Sequence, residues 1–134
     1  MSFVLDASVV AAWALPDKSS RIADRMLTRT ESSGAIVPQL WWYEIRNLLV
    51  VAERRKRIAA DEADAFLHHL ERMAIRIAEL GDGMMILSLA RAHKLSVYDA
   101  TYLELAKREN LPLGTLDGKL ATAAAPEHVR LLKI

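Results

Sequence analysis

At 134 residues and 52% hydrophobic content, the chain has material for one domain, spanning 1–134, and too little for two. It has no cysteine, which excludes disulfides, thiolate metal sites and cysteine nucleophiles, so any metal must be held by oxygen or imidazole. A net charge of +1 leaves nucleic-acid binding to local basic patches, and the lack of a long apolar run or a secretory start predicts a cytoplasmic protein outside the membrane.

The first element is the apolar run Phe3-Val4-Leu5, which reads as a buried strand and ends in Asp6. Ala7 onward reads as a helix that stops at Leu15-Pro16, because proline disfavours helical geometry in the residue before it. Asp6 therefore sits at a strand-to-helix junction, where open α/β sheets bind ligands; helix capping is the alternative use for such a carboxylate. A second helix is predicted from Arg21 to Thr30, with Arg21, Arg25 and Arg29 as an i, i+4, i+8 stripe. Ala35 to Pro38 reads as a second strand.

Gln39 to Arg57 reads as a long helix on which Leu40, Glu44, Asn47, Leu48 and Val51 share a face. Glu44 is the anomaly there, since an ionised carboxylate on an apolar stripe is costly unless paired, protonated or metal-bound. Of the adjacent Trp41 and Trp42, one is expected in the core and the other nearer the surface. Asp61, Glu62 and Asp64 form the acidic first turn of a further helix, and Ala74 to Ala78 alternates as a third strand. His68, His69, His93 and His128 lack the i, i+4 partner of a helical zinc site.

After the Gly81-Asp82-Gly83 turn, helices are predicted to about His93 and from Ser96 to roughly Asn110. On the second of these, Asp99 lines up with Tyr102, Leu103 and Ala106, repeating the Glu44 anomaly. Leu113 to Gly118 reads as a strand ending in Asp117, with Thr115 on the same side and able to orient that carboxylate. A short helix from Lys119 to Ala125 and a last strand from Val129 to Ile134 complete the chain. Strands separated by helices imply an α/β fold, a mostly parallel sheet with helices on both faces.

Four of the 17 acids stand apart from the thirteen that surface or capping roles explain: Asp6 and Asp117 at strand ends, Glu44 and Asp99 on inward helix faces. Two like charges about 4 Å apart cost on the order of 4 kcal/mol at an effective dielectric near 20, so such a cluster needs protons or a cation. All-oxygen ligands select Mg²⁺ or Mn²⁺, and carboxylates holding such an ion with water suit phosphodiester hydrolysis.

The segments Val4-Leu5-Asp6-Ala7-Ser8, Trp42-Tyr43-Glu44-Ile45-Arg46-Asn47, Ser96-Val97-Tyr98-Asp99-Ala100 and Gly114-Thr115-Leu116-Asp117, in order and across essentially the whole chain, resemble a PIN domain, particularly the VapC-type ribonuclease toxins of bacterial toxin-antitoxin pairs. The resemblance implies a three-layer α/β/α sandwich and a Mg²⁺- or Mn²⁺-dependent endoribonuclease. It places Asp6, Glu44, Asp99 and Asp117 on the family's acidic positions, and Ser8 and Thr115 on its supporting hydroxyls. It also implies a homodimer and a cognate antitoxin whose tail enters the active-site groove. On this reading Asp6 and Asp99 hold the ion most directly, Asp117 assists through water or a second ion, and Glu44 positions or deprotonates the attacking water. Arg46, Lys119 and the Arg21 stripe are the expected rim cations for RNA, single-stranded or looped. The alternatives are a non-toxin PIN nuclease and an interaction module on the same fold. A phosphoacceptor receiver domain lacks its early acidic pair and late lysine here.

Overall fold

In a computed structural model that describes residues 1–134, four short strands form a single all-parallel sheet in the order β3-β2-β1-β4. The strands are β1 (Val4–Leu5), β2 (Ala35–Val37), β3 (Ile75–Ile77) and β4 (Leu113–Gly114). Seven helices connect and cover them: α1 (Ala7–Ala14), α2 (Arg21–Ser33), α3 (Gln39–Arg54), α4 (Ala60–Glu71), α5 (Gly83–His93), α6 (Val97–Glu109) and α7 (Gly118–Ala124). Helix α1 packs on α2 and α3, α3 on α4, and α6 on α5 and α7, so the helices fall into two groups with the sheet between them. No helix is long and apolar enough to cross a membrane.

Local sequence accounts for most of the boundaries. Ser20 caps α2 by accepting from the Ala23 N–H, and Gly34, at φ 74°, closes it in a conformation that only glycine adopts freely. Proline 38 precedes α3 and fixes an extended entry. Glu62 reaches back to the Ala59 N–H at the start of α4, while Asp82 and Ser96 cap α5 and α6 with their side chains.

The central strands are fully buried, and the core is built on Phe3, Leu5, Ile36, Ile45, Leu103 and Leu105. Helix α6 runs through its middle, with Ala100 and every residue from Tyr102 to Ala106 buried.

Two expectations need correction. The apolar tail from Val129 to Ile134 does not form a strand; it makes one isolated parallel bridge, Leu113 to Leu131, because β4 is only two residues long and offers no further ladder. The buried stripe of α3 is Trp41, Ile45, Leu49 and Ala52, rotated from the predicted face. Glu44 therefore lies half-buried at the border of that stripe, and Asn47 is exposed. The division of the tryptophans is as expected, with Trp41 6% and Trp42 41% exposed.

Candidate active site

Parallel pairing of β1 with β4, in the register Val4 to Leu113 and Leu5 to Gly114, brings the carboxyl ends of these strands side by side. The Asp6 N–H donates to the Gly114 carbonyl, which extends the ladder one step and sets Asp6 against Thr115. Asp6 occupies the N-cap position of α1 but makes no side-chain capping bond. Its Oδ2 instead accepts from the Ser8 hydroxyl at 2.6 Å and from the Thr115 hydroxyl at 2.7 Å. The two hydroxyls stand 3.3 Å apart. Ser8 Oγ in turn accepts the Leu116 N–H, and Thr115 Oγ1 accepts the Asp117 N–H. Thr115 thus orients Asp6 across the strands, not Asp117 as predicted within its own strand.

Asp117 does act as a helix cap, its Oδ1 accepting from the N–H groups of Lys119 and Leu120. Its carboxylate still bears on the others, raising the pKa of both Asp6 and Asp99 by like-charge repulsion. Glu44 comes from α3 and accepts the Tyr102 hydroxyl on Oε1 at 2.5 Å. Asp99 lies in the first turn of α6, partly exposed rather than facing the core, with its N–H capped by Ser96.

Three of the four carboxyls are pushed above their usual range, and burial is the largest cause in each. Asp6 is further raised by Asp117 and opposed by the hydrogen bonds of Ser8 and Thr115. Glu44 rises to about 7, burial and the charges of Asp6 and Asp99 outweighing the Tyr102 hydrogen bond. Asp99 is raised by Asp117 and Asp6 as well, with Ser96 and the nearby Lys119 cation acting against them. Each acid therefore interacts with at least two of the other three, as one cluster.

No three Asp, Glu or His side chains stand close enough to enclose an ion by themselves. Asp6, Glu44 and Asp117 each commit one oxygen to protein donors and leave the other without a side-chain donor. That donor set fits a hydrated Mg²⁺ or Mn²⁺, which takes one or two carboxylates and keeps its waters. It also fits the charge, since like-charged, desolvated carboxyls are the groups a divalent cation relieves.

The expected rim cations divide. Arg46 is engaged elsewhere, stacked 3.6 Å over the Trp42 ring and paired with Glu71. Lys119 lies near Asp99, while Arg21 and Arg25 are exposed and Arg29 is partly covered.

Two polar residues escaped the sequence reading. Tyr102 looked like one more core-face aromatic, yet its hydroxyl reaches the site. Glu104, counted among surface acids, is 3% exposed and held by Arg108 four residues on, a spacing that could have been noticed.

A PIN domain family model matches residues 3–126. A curated relative, Ribonuclease VapC3 of Pyrobaculum aerophilum, is 32% identical over 124 residues, covering 90% of this chain and 93% of its own. Among solved structures, PAE2754 from Pyrobaculum aerophilum superposes with a TM-score of 0.73 at 22% identity, over 92% of this chain and 84% of that one. A toxin-antitoxin complex from Klebsiella pneumoniae gives 0.60 at 18% identity, over 87% of each chain. VapC20 of Mycobacterium tuberculosis, described as a sarcin-ricin loop cleaving toxin, gives 0.58 at 15% identity, over 91% of this chain and 95% of that one.

Proposed function

The chain belongs to the PIN domain family, and from that premise we propose that it is a Mg²⁺- or Mn²⁺-dependent endoribonuclease, the toxin of a toxin-antitoxin pair. The observation that carries this reading is the geometry at the adjacent carboxyl ends of β1 and β4, where Ser8 and Thr115 hold the Asp6 carboxylate and Asp117, Asp99 and Glu44 lie near enough to repel it. The name of the ribonuclease relative supports it.

Asp6 and Asp99 are assigned as the residues that would hold the ion most directly, with Asp117 contributing through its uncommitted oxygen. A bound divalent ion supplies positive charge against the phosphate oxygens and acidifies water. Ser8 and Thr115 fix the Asp6 carboxylate so that its geometry is set before substrate arrives. Glu44, with its pKa near 7, changes protonation state around neutral pH and suits the work of taking a proton from the attacking water on its free Oε2. That water adds to phosphorus as the P–O bond to the leaving nucleotide breaks. Lys119, beside Asp99, offers charge to the incoming backbone.

Single-stranded or looped RNA is the substrate proposed, because its flexible backbone can bring a phosphate to the four acids more readily than a duplex can. A cognate antitoxin as partner and a homodimer as the assembled form belong to the same reading.

The test is cleavage of a structured RNA with Mn²⁺ and with chelator, comparing wild type with Asp6→Asn. Cutting that needs Mn²⁺ and falls at least ~100-fold in the variant is the expected outcome. Equal cutting by both proteins would remove the mechanism.

A further inference from the structure

We infer that Tyr102 is a positioning residue of the active site, setting the place of the Glu44 carboxylate from inside the core. The inference rests on the nuclease reading above and adds to it a residue that touches neither RNA nor metal.

Tyr102 is fully buried on α6, one turn after Asp99, and its ring is enclosed by the core. A buried phenol must satisfy its hydroxyl, and this one does so by donating to Glu44 Oε1 at 2.5 Å. The bond joins α6 to α3 across 58 residues of sequence.

A glutamate at a half-buried border has three rotatable side-chain bonds and no steric reason to keep one direction. A tyrosine has two such bonds, and packing fixes both here. The short bond therefore passes the rigidity of the core to Glu44, pins Oε1, and leaves Oε2 without a protein donor. Asp99 and the tyrosine that holds Glu44 lie on the same helix, so two of the four acids take their positions from α6. Asp6 is held by a different pair of donors, Ser8 and Thr115. Asp6 and Glu44 thus each have their own anchor.

Tyr102→Phe deletes one oxygen and keeps the ring. A misplaced catalytic group is expected to lower kcat by about 10- to 100-fold, with KM within about twofold. The unfolding temperature should change by no more than a few degrees, and the rise that Mn²⁺ gives it should persist. The same substitution on a Glu44→Ala background should cost nothing further, measured by single turnover with enzyme in excess so that slow residual rates stay visible. If wild type cleaves RNA with Mn²⁺ but Tyr102→Phe keeps full kcat, or loses as much without Glu44 as with it, the positioning role is overturned and the nuclease reading survives. If wild type does not cleave RNA at all, the nuclease reading fails and the role falls with it.

Discussion

Asp6 stands where a capping aspartate would stand and uses its carboxylate differently, because two hydroxyls outcompete the α1 amide groups for it. Thr115 serves two acids at once, donating to Asp6 and accepting the Asp117 N–H. Thr115→Val keeps the shape and removes both bonds. The expected result is a fall of about tenfold in RNA cleavage and a loss of about 1–2 kcal/mol in denaturant unfolding, with a smaller activity loss for Ser8→Ala, whose second bond holds the Leu116 N–H and not that of a site acid. Asp6 and Asp117 are marked in the sequence by their place at strand ends, Glu44 and Asp99 by their helix spacing. Their anchors are not. Alternation along one strand is visible in sequence and pairs Thr115 with Asp117, whereas the β1–β4 register that sets its hydroxyl against the Asp6 carboxylate is not. Tyr102 was hidden for a related reason: an aromatic at core spacing is explained by packing alone, and only coordinates show where its oxygen goes.

At the level of elements, apolar runs and capping residues located all seven helices and all four strands of the sheet to within a few residues. What failed was the tail after Val129, whose composition suits a strand that has no partner of sufficient length. The short β4 is also tightly packed. A side chain on Gly114 would put its Cβ 2.7 Å and 2.9 Å from ring carbons of the buried Phe3. Gly114→Ala must therefore displace that ring or part β4 from β1, at a cost of about 1–3 kcal/mol in thermal or denaturant unfolding. Because the Gly114 carbonyl accepts the Asp6 N–H, activity should fall along with stability. A second tight point joins α6 to the loop before α5, where the Glu104 carboxylate packs against Gly81 and Arg108 reaches the Glu79 carbonyl. Removing the cation in Arg108→Ala leaves the Glu104 carboxylate buried without its partner. We expect a loss on the order of 3 kcal/mol, measured by urea unfolding, with Arg108→Lys recovering part of it.

Across the whole molecule, a net charge of +1 conceals a local excess of negative charge, four acids crowded at one end of the sheet. That crowding makes metal-free stability depend on pH. A carboxyl whose pKa is raised on folding binds protons more tightly in the native state, so its contribution is complete below the unfolded value and is lost as pH rises through the folded one. For Glu44 the window runs from 4.5 to about 7. Discounted for solvent screening of a half-exposed group, the loss is on the order of 1 kcal/mol. Glu127, lowered chiefly by its hydrogen bonds to His93 and Lys107, works in the opposite sense and outside this window, since its stabilisation fades only as pH falls through the acid range. Comparing wild type with Glu44→Gln isolates the term: metal-free wild type should lose stability relative to the variant between about pH 5 and pH 8. Mn²⁺ should reverse the trend, because the ion competes with protons for the same oxygens. Its stabilisation, weaker near pH 5, should increase as the carboxyls ionise and grow with ion concentration. Unfolding temperatures with and without Mn²⁺ across that range check both halves, and an Mn²⁺ shift that is equal at the two pH extremes would place the ion somewhere other than among these four acids.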